Sequence, residues 1–202
     1  MERKLASKYY INSLEGDKYS KKNQTMLLVV DEQPKLMKTM ENGGLTILNT
    51  LVLIKAFIEY DMPILATEQY PKGLGKSDQR LLDQIPEDKI FEKTIFDAAT
   101  PEVLGFIKEN NITNVVVVGA EGHVCVYQTV RTLLDLGLNV FFVKDAISSY
   151  TEELKETSAK LLGQMGAAVV NTEMLLFDIA YDSKDSHFKV ISNLVKEMRA
   201  RD

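Results

Sequence analysis

Five short apolar runs rich in valine, isoleucine and leucine recur along the sequence, at 25–30, 63–67, 114–119, 139–144 and 168–171. Each is too short and too β-branched for a helix and reads as a buried strand. Between them, 45–60, 101–110, 124–136 and 152–165 place apolar residues at helical spacing. A strand buried on both faces must be covered twice, and each parallel crossover needs a connection long enough to hold a helix. The alternation therefore predicts an α/β, doubly wound, mostly parallel sheet with helices on both faces, a Rossmann-like architecture.

Several boundaries carry their own mechanism. Thr100-Pro101 reads as an N-cap followed by proline at the first helical position, and Ser149-x-x-Glu152 matches a capping box. Gly137 and Gly166 stand where helices should end. A weakly signalled strand falls at 89–93, and 186–200 reads as a terminal amphipathic helix. No repeat or linker divides the chain, so its 202 residues are expected to form one domain, preceded by a polar segment at 1–24.

Composition narrows the partners. Lys and Arg number 24 against 29 Asp and Glu, a formal charge of −5, which leaves no cationic excess for a phosphate backbone or an anionic membrane. The polar N-terminal segment has no apolar h-region and no stretch is long enough to span a bilayer. The lone cysteine, Cys125, forms neither an internal disulfide nor a redox pair, which fits a cytoplasmic protein. Two histidines and one cysteine supply no spaced set of soft ligands, so no metal and no other cofactor is expected.

Ligands of an open parallel sheet bind beyond the carboxyl ends of its strands. Three reactive side chains fall there: Asp31 directly after Leu27-Leu28-Val29-Val30, Lys93 after the weak strand, and Cys125 at the start of a helix. Singly, each has a plainer reading as a turn cap, a solvated cation and a small core residue. Together they make chemical sense, because a helix N-terminus and a lysine favour a thiolate and a carboxylate can carry the proton. His123 is the rival base, but two positions before Cys125 it should project away from the sulfur.

The segment Val118-Gly119-Ala120-Glu121-Gly122-His123-Val124-Cys125-Val126 resembles the nucleophile loop of the isochorismatase-like cysteine hydrolases. Leu28-Val29-Val30-Asp31-Glu32-Gln33 and Phe91-Glu92-Lys93-Thr94-x-Phe96-Asp97 are similar to that family's segments bearing its catalytic Asp and Lys. The resemblance implies a six-stranded sheet and a triad in which Asp31 deprotonates Cys125 and Lys93 stabilises charge. It further implies a cis peptide between Ala120 and Glu121, with the backbone N–H groups of Glu121 and Cys125 as an oxyanion hole.

Relatives resembling nicotinamidases carry a metal-binding Asp and paired His after the second strand, where this chain reads Thr67-Glu68-Gln69-Tyr70-Pro71-Lys72. With the cysteine present, the resemblance implies instead the family's thiolate branch and hydrolysis of a small-molecule amide, carbamate or related carbonyl. Gln33, Glu68, Gln69, Tyr70 and His123 are candidates for the substrate pocket. Two other readings stay open: a binding or scaffold protein on the same fold, and a receiver-like phosphoacceptor domain built on Asp31 and Lys144. The resemblance also implies a homo-oligomer, a dimer or larger.

Overall fold

The computed structural model describes Tyr9, Ile11 and residues 22–201. The polar segment 1–24 otherwise lies outside the described residues, apart from the single 3₁₀ turn Lys22–Gln24. Six strands form: β1 (Thr25–Val30), β2 (Ile64–Gln69), β3 (Ile90–Lys93), β4 (Asn114–Ala120), β5 (Asn139–Ser148) and β6 (Ala168–Val170). They make one sheet in the order β3-β2-β1-β4-β5-β6, with every pairing parallel. The chain winds outward from the central β1–β4 pair in both directions, which opens a crevice at the carboxyl ends of those two strands.

All six residues of β1 are buried, which is why the run shows no polar alternation. Leu27 and Val29 face a core built with Val116, Val118, Leu53 and Phe57. Met26, Leu28 and Val30 face a second core with Val115, Val117, Val126 and Phe142. Each such side chain contributes about 1.5–3 kcal/mol on burial. Helices α1 (Pro34–Met37) and α2 (Gly43–Glu59) follow β1, and the one-turn helices α3 (Pro71–Leu74) and α4 (Gln79–Leu82) follow β2. Helices α5 (Pro101–Glu109), α6 (Cys125–Asp135) and α7 (Glu152–Gln164) bring Val103, Val126, Leu133 and Leu162 to the second core. With α2, α8 (Thr172–Ala180) and α9 (Phe188–Arg199) cover the first face through Leu176, Ile179, Ile191 and Leu194.

Thr100 caps α5 by accepting from the Val103 N–H, with Pro101 at the first helical position, and Gly137 and Gly166 follow α6 and α7 with φ of 82° and 108°. The start of α7 differs from the expected capping box. Its cap is Thr151, whose hydroxyl accepts from the Leu154 N–H at 3.3 Å, while the Glu152 N–H donates to the Glu41 carboxylate at 2.6 Å. Ser149 cannot cap because β5 continues to Ser148, well past residue 144. Lys144 and Asp145 interrupt the apolar pattern, yet a register shift between Val117 and Gly119 lets β5 resume pairing at Ile147 and Ser148.

Helix α8 was not expected from the sequence. Met174-Leu175-Leu176-Phe177 is a continuous apolar run that shows no helical period, although Asn171 caps it by accepting from the Met174 N–H at 2.9 Å. That cap also ends β6 at Val170 rather than at residue 171. Among the described residues, no helix is long and apolar enough to cross a membrane.

Candidate active site

The chain leaves β1 through Asp31, whose φ of 54° lies in the left-handed region that a short polar side chain tolerates. This turn buries the carboxylate completely. Its Oδ1 accepts from the Thr67 hydroxyl at 2.8 Å and its Oδ2 from Lys93 Nζ at 2.6 Å. Lys93 ends the edge strand β3 and is only 5% exposed, so the pair is shielded from solvent.

The third group arrives from β4. Gly119 has a φ of 110°, and a Cβ there would stand 2.0 Å from the Val30 carbonyl oxygen, so only glycine lets the end of β4 lie this close to β1. The Ala120–Glu121 peptide is cis, the Gly122 N–H donates to the Ser148 carbonyl at 2.8 Å, and α6 begins at Cys125. The Cys125 thiol lies beside the Asp31 carboxylate and the Glu121 backbone N–H, close enough for both to act on its proton. Asp31, Lys93 and Cys125 thus converge from β1, β3 and the head of α6.

The electrostatics differ from the expected thiolate. Burial above all, then the negative charge of Asp31, pushes the Cys125 thiol up to about 12, while Lys93 and the Glu121 N–H pull it down. The resting sulfur therefore carries its proton, chiefly because it is buried and secondly because a carboxylate stands beside it. Burial also raises Asp31, against the opposing pull of Lys93, Thr67 and Cys125. A raised carboxyl is a stronger base, which suits it to take a thiol proton.

The pocket candidates separate. Gln33 is a strut: its Oε1 accepts from the Gln69 N–H at 2.8 Å, and its Nε2 donates to the carbonyls of Gln69 at 3.0 Å and Gly75 at 2.5 Å. Gln69 reaches the site itself, accepting from Lys93 Nζ at 2.7 Å. Glu68 turns elsewhere, accepting from the Ser77 N–H at 2.7 Å and lining a cavity of about 330 Å³ with Lys76 and Glu92. Tyr70 lies with its ring over Gly73 and is half-exposed. His123 lines an open cleft of about 920 Å³ along α6, with Asp97, Tyr127 and Arg131, and its Nε2 stands 4.0 Å from Glu121.

Two parts of the site escaped the sequence reading. Thr67 holds Asp31, and the carbonyls of Ile95 and Phe96 accept from Lys93 Nζ at 3.3 and 3.1 Å. The alignment of β1 with β2, which sets Val30 beside Thr67, would have flagged Thr67; backbone carbonyls leave no trace in a sequence. Lys144, the lysine of the receiver-like reading, pairs with Glu156 at 2.6 Å. Among the described residues, no group of three or more His, Cys, Asp or Glu is placed to hold a metal ion.

The chain as a whole is similar to known proteins. Residues 25–174 match the Isochorismatase domain. "Isochorismatase family protein 1A" of Dictyostelium discoideum is 34% identical over 182 residues, covering 88% of each chain. The structure described as MAR1 ribonuclease from Caenorhabditis elegans superposes with a TM-score of 0.82 at 34% identity, covering 87% of this chain and 91% of that one. The Escherichia coli YcaC product, described as an octameric hydrolase of unknown specificity, shares the fold at a TM-score of 0.78 and 19% identity, over 90% of this chain and 96% of its own. A relative 34% identical over most of its length, and a domain match spanning β1 to the first turn of α8, lead to one conclusion: this chain belongs to the isochorismatase family.

Proposed function

We propose that the protein is a cysteine hydrolase that cleaves a small-molecule amide, carbamate or related carbonyl compound. One observation carries this reading: the Asp31 carboxylate accepts from Lys93 Nζ at 2.6 Å and lies beside the Cys125 thiol, with all three groups buried. The thiol proton passes to Asp31 as the sulfur attacks the carbonyl carbon, and Lys93 offsets the charge that stays in the buried site. The Glu121 and Cys125 N–H groups receive the oxyanion. The C–N bond then breaks, the leaving nitrogen takes the proton from Asp31, and water hydrolyses the thioester to an acid and the free thiol.

His123 and Tyr70 remain the pocket candidates whose side chains are partly open to a substrate, whereas Gln33 and Glu68 act as supports. A homo-oligomer is consistent with the octameric description of YcaC, and a cytoplasmic site of action with the lone free cysteine. The similar nematode protein is described as a ribonuclease, but a formal charge of −5 favours a small uncharged or cationic substrate over RNA.

The test is to incubate the protein with a panel of small amides and carbamates, follow release of amine or acid, and trap the adduct by intact-mass spectrometry. Wild type should gain an acyl mass on the peptide bearing Cys125, and Cys125→Ala should show neither adduct nor turnover. Turnover that survives in Cys125→Ala sinks the mechanism.

A further inference from the structure

We infer that Gln69 is a positioning residue of this site, fixing the Lys93 ammonium on Asp31 and thereby setting the pH at which Asp31 can act as base. The inference rests on the triad reading above. It starts from counting donors. An ammonium has three N–H groups, yet among the described residues four oxygens surround Lys93 Nζ: Asp31 Oδ2 at 2.6 Å, Gln69 Oε1 at 2.7 Å, and the carbonyls of Phe96 at 3.1 Å and Ile95 at 3.3 Å. The two shortest contacts are Asp31 and Gln69, and the two carbonyls share what remains. Lys93 therefore has no donor left for a substrate, and its part is to be a fixed positive charge beside Asp31.

Gln69 is held so that only its oxygen can face Lys93. Its Nε2 donates to the Thr94 carbonyl at 2.8 Å, which settles the orientation of the amide. Its backbone is clamped on both sides by the Gln33 side chain, itself anchored to Gly75. A continuous chain of hydrogen bonds thus runs from the loop after α3 through Gln33 and Gln69 to Lys93 and Asp31. A neutral acceptor suits this place. It engages the ammonium without competing for its charge, whereas a carboxylate would raise Asp31 by like-charge repulsion. Without the Gln69 oxygen, the two carbonyls are the remaining partners to draw Nζ away from Asp31, leaving burial to raise the carboxyl against a weaker pull.

The experiment is the pH dependence of Cys125 alkylation by iodoacetamide, which needs no knowledge of the substrate, on the full chain of wild type, Gln69→Met, Gln69→Asn, Lys93→Met and Asp31→Asn. Gln69→Met keeps the volume but removes the acceptor, and Gln69→Asn withdraws it by one methylene, so one serves if the other does not fold. Either should move the acid limb upward by about one pH unit, a roughly tenfold slower labelling on that limb, in the direction of Lys93→Met but by less. A merely structural role would lower yield or stability and leave the limb in place. A limb that superposes on wild type in both Gln69 variants, while Lys93→Met shifts it, overturns this inference and leaves the triad intact. A limb unmoved in Asp31→Asn and Lys93→Met overturns the triad reading and the inference with it.

Discussion

Asp31 and Glu32 are consecutive in the chain, both completely buried, and surrounded in opposite ways. Asp31 turns toward β3 and α6 and meets a cation, a hydroxyl and a thiol. Glu32 turns toward α2, where its Oε1 accepts from the Thr50 hydroxyl at 2.5 Å and its Oε2 has no partner among the described residues. Burial above all lifts Glu32 to about 8, with the Thr50 hydroxyl and Arg80 pulling it down and Asp78 pushing it up, so it carries a proton at neutral pH. Two carboxyls one peptide apart are thus sorted into a candidate base and an uncharged strut by what faces them, not by depth. A buried carboxylate needs an opposite charge to remain a carboxylate.

The contrast can be broken most forcefully through activity. Asp31→Asn removes the proposed base and should lower kcat/KM by about 10³-fold, within the usual span for general-base loss, whereas Glu32→Gln should leave it within a few-fold. Equal losses in the two variants, measured on one amide substrate, would erase the distinction. Stability sharpens it next. Lys93→Met strands the Asp31 charge in the interior and should cost about 3–5 kcal/mol in urea unfolding at pH 7. Glu32→Gln replaces a neutral acid with a neutral amide and should cost far less.

The finest comparison is in pH. Between about 4.5 and 8 the unfolded chain has released the Glu32 proton and the native state still holds it, so this group's contribution is full below 4.5 and fades as pH rises through 8. Glu32→Gln should flatten that decline, recovering of the order of a few kcal/mol at pH 8 relative to pH 5. Parallel stability curves for wild type and Glu32→Gln over that window would mean that Glu32 is ionised in the native state.

How much of this was legible follows from what each signal depends on. The sheet was readable because β1 and β4 are buried on both faces and so spell unbroken apolar runs. Asp31, Lys93 and Cys125 were readable as reactive types at strand ends, where the topology collects ligands. The thiol's protonation was not, because it turns on how deeply the sulfur is buried and on the carboxylate the fold sets beside it, rather than on the helix terminus the sequence displays. Gln33 and Gln69 looked alike as polar loop residues. Only the fold shows that one braces the other and the second meets Lys93. Helix α8 was hidden because its middle, Met174 to Phe177, is uniformly apolar, so no period stood out.

The three groups of the site are also unequal in how firmly the molecule holds them. Asp31 and Cys125 issue from the two innermost strands, but Lys93 hangs on β3, four residues at the rim of the sheet with β2 as their one strand neighbour. Rims fray before centres, by local openings that cost less than global unfolding. The working life of the site on heating is thus governed by the detachment of β3 while the inner strands stay paired, and the gap between loss of turnover and loss of circular dichroism measures that margin.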